Sequence, residues 1–180
     1  MIGVLVSGSG SNLQALLDAG LPVVAVASSR GGVGALERAT VAGIPCAVFA
    51  LELHADRAAR DLAMADWLEG HGVELVVCAG FMQILTPRLL DRFPGRVVNV
   101  HPALLPAFPG AHAVEDALAA GVEESGASVH LVDEGIDTGA VLRQERVRVL
   151  PDDTVETLHA RIRAVEHRLL PRVVRELVTA

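Results

Sequence analysis

A regular alternation of short, β-branched apolar runs with stretches of helical periodicity constrains this chain more than any single motif. Runs over 2–6, 23–27, 45–49, 74–78 and 97–101 have the Val/Ile content of buried strands. Between them lie helical patterns. One carries Leu13, Leu16 and Leu17 on one face. One covers 34–42 and closes at Gly43. A third covers 55–69 and turns Leu62, Ala65 and Leu68 inwards. Strand runs without polar alternation, separated by helices, predict an α/β fold: an open, mostly parallel sheet with helices on both faces. Further strand runs over 127–132 and 141–149 flank an Asp/Gly-rich turn and predict a partly antiparallel C-terminal edge. A last helix opens at Asp152 or Asp153 and runs to about 178, with Pro171 expected to break or kink it. The 180 residues are enough for one domain with a sizeable core, and residues 1–180 read as a single domain.

Composition narrows the class. The chain is 51% hydrophobic but 3% aromatic and has no Tyr, so the core is aliphatic. A net charge of −7 without a basic run argues against nucleic acid or an anionic membrane surface as partner. Cys46 and Cys78 lie inside apolar runs without CxxC or metal-site spacing and read as buried free thiols. No metal-ligand cluster is evident, so no metal is expected. Neither a leader-like N-terminus nor an apolar run of ~18 residues is present, which points to a cytoplasmic protein.

Three stretches carry candidate chemistry. Ser7-Gly8-Ser9-Gly10-Ser11-Asn12 joins the first strand to the first helix. Glycines there let the backbone approach a ligand, and free N–H groups at a helix start favour an anion. Leu13 stands where a dinucleotide fingerprint wants its third glycine, and Ser28-Ser29-Arg30 offers no ribose-binding acid. The loop also lacks the lysine of a P-loop. A phosphomonoester fits better than NAD or ATP; a plain turn capped by Ser11 or Asn12 is the competing reading. The second stretch, Ala79 to Leu85, is apolar and follows a strand, where open α/β sheets bind ligands. Phe81, Met82, Ile84 and Leu85 suit a flat heterocycle or ordinary core packing equally. Thr86-Pro87 then reads as a helix start with Thr as cap.

The third stretch is Val97-Val98-Asn99-Val100-His101-Pro102. Asn99 and His101, two apart on a strand, share one side, while Val98 and Val100 face the other. Pro102 ends the ladder where the imidazole emerges. An amide and an imidazole there can both reach one reacting carbonyl, or they can simply tie down the following loop. Asp137 is either a turn aspartate or a buried partner for His101. His112 precedes a helix over 113–120 and either caps it or lines the cleft. Arg57, Glu166 and His167 read as solvated helix positions.

Taken together and in order, "SGSGSNLQALL", "AGFMQILTP", "VNVHPALLPAFPGAHA", "SVHLVDEGIDTGAVL" and the "VEH" of the last helix resemble the phosphoribosylglycinamide formyltransferases, folate-dependent enzymes of purine biosynthesis. The resemblance implies the Rossmann-like formyltransferase fold. It implies a reaction between 10-formyltetrahydrofolate as co-substrate and glycinamide ribonucleotide, without a metal, by a monomer or homodimer. It matches Asn99, His101 and Asp137 to the catalytic trio. It matches Gly10, Ser11, Asn12 and Glu166 to the ribonucleotide site. Arg57, the segment Met82, Gln83, Ile84 and Leu85, Asn99, and the loop Asp133, Glu134, Gly135, Ile136 and Asp137 match the folate site. Gln83 stands where Arg is common, which bears on how the folate's glutamate tail is held. Ser9, often Asn, matters little if backbone N–H groups carry the phosphate. The implied mechanism has Asn99 and His101 donating to a formyl oxyanion, with Asp137 favouring the imidazolium form of His101 and organising a proton-shuttling water. A formyltetrahydrofolate hydrolase on the same fold and a non-catalytic phosphate-binding module are the rival readings; a dehydrogenase is disfavoured by Leu13 and the absent acid. The tRNA-formylating relatives and the hydrolases carry additional domains for which this sequence shows no counterpart.

Overall fold

A computed structural model describes residues 1–179. Seven strands, β1 (Ile2–Val6), β2 (Val23–Ser28), β3 (Cys46–Val48), β4 (Leu75–Cys78), β5 (Val97–His101), β6 (Glu124–Leu131) and β7 (Val141–Arg148), form one sheet in the order β3-β2-β1-β4-β5-β6-β7. The pairs from β3 to β5 are parallel. β6 lies antiparallel to β5, and β7 antiparallel to β6. The expected sheet and its antiparallel edge are therefore both present.

Among the described residues six α-helices flank the sheet: α1 (Ser11–Asp18), α2 (Gly34–Val41), α3 (Arg57–Gly70), α4 (Pro87–Leu90), α5 (Ala113–Ala119) and α6 (Val155–Thr179). The period-two alternation of the strands divides the core in two. Val4, Val6, Val98 and Val100 pack with α1, α2, α5 and α6. Leu5, Val76 and Val97 pack with α3 and α4. From β1 the chain moves outward to β2 and β3, then returns to β4 on the other side of β1. That reversal opens a crevice between the carboxyl ends of β1 and β4, where such sheets bind ligands.

Several local expectations are corrected. Leu62 is 40% exposed, whereas Arg60 and Asp61 are fully buried. The inward stripe of α3 is Arg60, Asp61, Met64, Ala65 and Leu68, with Leu62 off it. Cys46 is exposed because β3 is a three-residue edge strand, while Cys78 in the central β4 is buried. α6 starts at Val155, after Asp152 and Asp153. Asp153 instead accepts from the Leu150 N–H and pairs with Arg161, and the Thr154 hydroxyl accepts the Thr157 N–H. Pro171 does not break α6. The helix is anchored on both sides of it by Ile162, Val165, Leu169, Val173 and Val174 in the core, which outweighs one missing N–H. Thr86 occupies the N-cap of α4 but its hydroxyl has no partner, so Pro87 is the effective start signal. No helix among the described residues is long and apolar enough to cross a membrane.

Candidate active site

The β1–α1 turn is shaped by a steric demand. Gly10 has φ +76°, and a Cβ there would lie 2.6 Å from the Ala35 Cα. Only glycine brings the turn this close to α2. Gly10 itself is the N-cap of α1, and neither Ser11 nor Asn12 caps the helix. The Asn12 amide donates to Glu166 Oε2 at 3.1 Å instead. Glu166, expected in solvent, is thus buried, because α6 lays this face against α1. Burial pushes its carboxyl up, partly offset by the Asn12 bond and the charge of Arg163. Two guanidinium groups brace the turn: Arg30 Nε donates to the Ser7 carbonyl at 2.8 Å, and Arg38 Nε to the Ser9 carbonyl at 2.9 Å.

The loop after β4 closes against the same turn. The Met82 N–H donates to Ser7 Oγ at 2.9 Å. Met82 and Ile84 are exposed, at 62% and 43%, while Leu85 is buried and anchors the segment. These two apolar side chains are free to meet a ligand, whereas Phe81, partly buried against the core, and Leu85 follow the core reading.

At the end of β5, Asn99 and His101 share a side as the pleat requires. His101 Nε2 faces the Phe108 carbonyl at 2.7 Å, and a carbonyl only accepts, so Nε2 carries a proton. His101 Nδ1 lies 3.3 Å from Asp137 Oδ2. Asp137 Oδ2 also accepts the Gly110 N–H at 2.8 Å. Its Oδ1 lies 3.3 Å from the Asn99 amide nitrogen and 3.4 Å from His130 Nε2. Burial pushes the Asp137 carboxyl up, but the His130 and Gly110 hydrogen bonds and the nearby imidazoles outweigh it and hold the carboxyl at about 2. Asp137 is therefore an anion at every physiological pH. Asp137 fills both roles left open for it: it sits in the bend at φ 55°, and its half-buried carboxylate partners His101.

These parts wall one cleft of about 620 Å³. Its walls include Gly10, Ser11, Asn12 and Glu166, and also Met82, Gln83, Ile84 and Leu85. Asn99, His101 and Asp137 line it too, with Asp133, Gly135 and Ile136 from the loop after β6. Arg57 and Glu134 are exposed and outside the lining, and His112 is exposed and makes no cap bond. His130 was not legible as a site residue, although the antiparallel register places it directly opposite Asn99. Its Nδ1 faces the Leu131 carbonyl at 2.7 Å, leaving Nε2 towards Asn99 and Asp137. Arg30, His159 and Arg163 also reach the cleft. Helical spacing was the only available signal for the last two: positions 159, 163 and 166 share a face of α6.

The arrangement offers an amide donor, an imidazole and a fixed carboxylate around one point, with the glycine turn Gly10–Asn12 in the same cleft. That suits attack on a carbonyl carbon, with the developing oxyanion stabilised by hydrogen bonds. Cys78 also lines the cleft, but burial, aided by the charge of Asp61, pushes its thiol up to about 12, so it is not a thiolate nucleophile. Among the described residues no group of three or more His, Cys, Asp or Glu is placed to hold a metal ion.

Residues 1–174 match the formyl transferase family. The phosphoribosylglycinamide formyltransferase of Mycobacterium tuberculosis (strain CDC 1551 / Oshkosh) is 51% identical over 181 residues, covering 98% of this chain and 84% of the relative. The crystal structure of phosphoribosylglycinamide formyltransferase from Streptococcus pneumoniae TIGR4 superposes with a TM-score of 0.94 at 45% identity, covering 98% of each chain. Glycinamide ribonucleotide transformylase 1 from Symbiobacterium toebii gives a TM-score of 0.95 at 44% identity, covering 97% of this chain and 85% of that one. The trifunctional purine biosynthetic protein adenosine-3 of Chironomus tentans is 46% identical over 182 residues, and the chain spans 13% of that relative's length.

Proposed function

We propose that this chain, which belongs to the formyl transferase family, is a cytoplasmic phosphoribosylglycinamide formyltransferase that moves the formyl group of 10-formyltetrahydrofolate to the amine of 5′-phosphoribosylglycinamide in purine biosynthesis. The observation that carries this reading is one cleft walled jointly by the glycine turn Gly10–Asn12, the mostly apolar loop Met82–Leu85 and the Asn99–His101–Asp137 group.

The phosphate of the ribonucleotide sits on the N–H groups of Gly10, Ser11 and Asn12, at the positive end of α1. Glu166 and the Arg163 guanidinium address the rest of that substrate. The folate heterocycle lies along Met82, Gln83, Ile84 and Leu85, and against the loop of Asp133, Gly135, Ile136 and Asp137. Arg57 and Glu134, both outside the cleft, reach only the outer part of the co-substrate, such as its glutamate tail.

The neutral amine attacks the formyl carbon, and the carbonyl π pair moves to oxygen. The Asn99 amide and, in the imidazolium form of His101, its Nδ1–H donate to that oxyanion. Phe108 holds Nε2, which keeps the other edge of the ring turned to Asp137 and the reacting group. The ionised Asp137 stabilises positive charge on His101 and orders a water that carries the proton from the attacking nitrogen to N10; the oxyanion pair then reforms the carbonyl as the bond from the formyl carbon to N10 breaks. His130 orients both Asn99 and Asp137.

Consumption of 10-formyltetrahydrofolate, followed spectrophotometrically with and without the ribonucleotide, tests the reading. Turnover that requires the ribonucleotide supports it. Formate release independent of the ribonucleotide would replace it with a hydrolase, and folate binding without turnover with a binding module.

A further inference from the structure

Arg60 and Asp61 are each fully buried, and the reaction above uses neither. They are consecutive on α3 and both turn inward. Arg60 Nε and Nη2 donate to Asp61 Oδ1 at 2.8 and 2.6 Å. Nearly all of their remaining bonding capacity goes to one place. Arg60 Nη1 donates to Gln83 Oε1 at 3.1 Å, and Nη2 to the Ile84 carbonyl at 3.2 Å. Asp61 Oδ2 accepts the Thr86 N–H at 2.6 Å. The guanidinium also lies 5.7 Å from the Phe81 ring centroid. All these contacts fall in 81–86, the irregular segment that walls the cleft beside β4.

Desolvating two charges is costly, and an apolar pair would fill the same space without that cost. What an apolar pair lacks is bonds to the Ile84 carbonyl, the Thr86 N–H and the Gln83 amide. The segment belongs to no sheet ladder, so its backbone groups need such partners. By occupying Gln83 Oε1, Arg60 also decides which end of that amide is left for the cleft: the Nε2 donor.

We propose that Arg60 and Asp61 are positioning residues for the formyl-donor subsite, fixing the backbone of 83–86 and the donor orientation of Gln83. The proposal rests on the assignment of the Met82–Leu85 wall of the cleft to the folate co-substrate. Arg60→Met with Asp61→Leu in the full chain removes both charges and keeps an apolar fill. KM for 10-formyltetrahydrofolate is expected to rise at least about tenfold, with kcat and the ribonucleotide KM changing by less than about twofold. The melting temperature is expected to stay within about 5 °C of wild type, because relieved desolvation offsets the bonds lost at Ile84 and Thr86. Hydrogen exchange at the Thr86 amide, protected in the wild type by Asp61, is expected to accelerate at least about tenfold. A co-substrate KM within about twofold of wild type in a folded double variant would overturn the proposal. Should the double variant not fold, Arg60→Lys keeps the charge but loses the planar fork, and the same selective KM rise is expected; an unchanged KM there is equally fatal. Should the wild type transfer no formyl group, the functional reading fails separately, while fast exchange of the Thr86 amide in the wild type would by itself refute the positioning role.

Discussion

Asp137→Asn changes charge with almost no change in shape. The carboxyl sits between two imidazoles at 3.3 and 3.4 Å and accepts the Gly110 N–H at 2.8 Å. An asparagine oxygen can keep the Gly110 bond, so the loop stays in place. The lost part is the anion that opposes positive charge on His101 and relays the proton. Removing one well-placed stabilising group from an acyl-transfer site costs about 10²–10³ in rate, and that fall is expected in kcat. The ribonucleotide KM should move less than about twofold, since the turn at Gly10–Asn12 is untouched. A stability effect accompanies it. The carboxyl is held at about 2, below its ordinary 3.8. Its side chain is 13% exposed, so with partial solvent screening the shift is worth about 1–2 kcal/mol. Because the folded value lies below the unfolded one, that stability is present above pH 3.8 and is lost as pH falls through about 2. The asparagine variant should therefore melt lower at pH 7 and lose less on acidification between pH 4 and about 2. Steady-state kinetics with both substrates varied, plus thermal melts across that range, are the assays. Wild-type kcat in the asparagine variant would refute the role given to Asp137.

Further outcomes follow from other parts of the cleft. Gly10→Ala should fold poorly or unfold at lower denaturant, because the new Cβ meets Ala35 at 2.6 Å; Gly8→Ala, with nothing within 4 Å, should keep wild-type stability. Chemical denaturation separates the two. Glu166→Gln keeps an acceptor for Asn12 but removes a carboxyl that burial raises. A raised acid destabilises the folded state as pH climbs above its unfolded value of 4.5. The glutamine variant should then be the more stable of the two at pH 8, with the gap closing towards pH 4, as read by thermal melts; the opposite trend contradicts the buried placement. His130→Leu should lower kcat at least about tenfold by releasing Asn99 and Asp137, while unchanged kcat would remove His130 from the site. Inorganic phosphate should compete with the ribonucleotide, and indifference to phosphate would reduce the Gly10–Asn12 turn to a structural one.

The strands and their helical connections were legible because β-branched runs and 3.6-residue spacing report local structure directly. So was the pairing of Asn99 with His101, which depends only on the pleat. Features set by tertiary partners were not. Nothing local distinguishes Arg60 and Asp61 from solvated helix charges; their burial depends on the loop after β4. Cys46 is exposed because β3 is an edge, which only strand order reveals. Glu166 was assigned to solvent on its own residue pattern, and the partner that draws it inwards, Asn12, is 154 positions away. His130 enters through the antiparallel register of β5 and β6, whose offset a single sequence does not carry.

A crystal structure with the ribonucleotide and a non-transferable 10-formyl folate analogue tests the central claim most directly. The account predicts the phosphate on the N–H groups of Gly10–Asn12, the heterocycle along Met82–Leu85, and the formyl-equivalent oxygen about 2.7–3.1 Å from the Asn99 amide nitrogen. A phosphate bound away from that turn, or a formyl-equivalent oxygen out of reach of Asn99 and His101 with Asp137 on neither nitrogen's side, would contradict it.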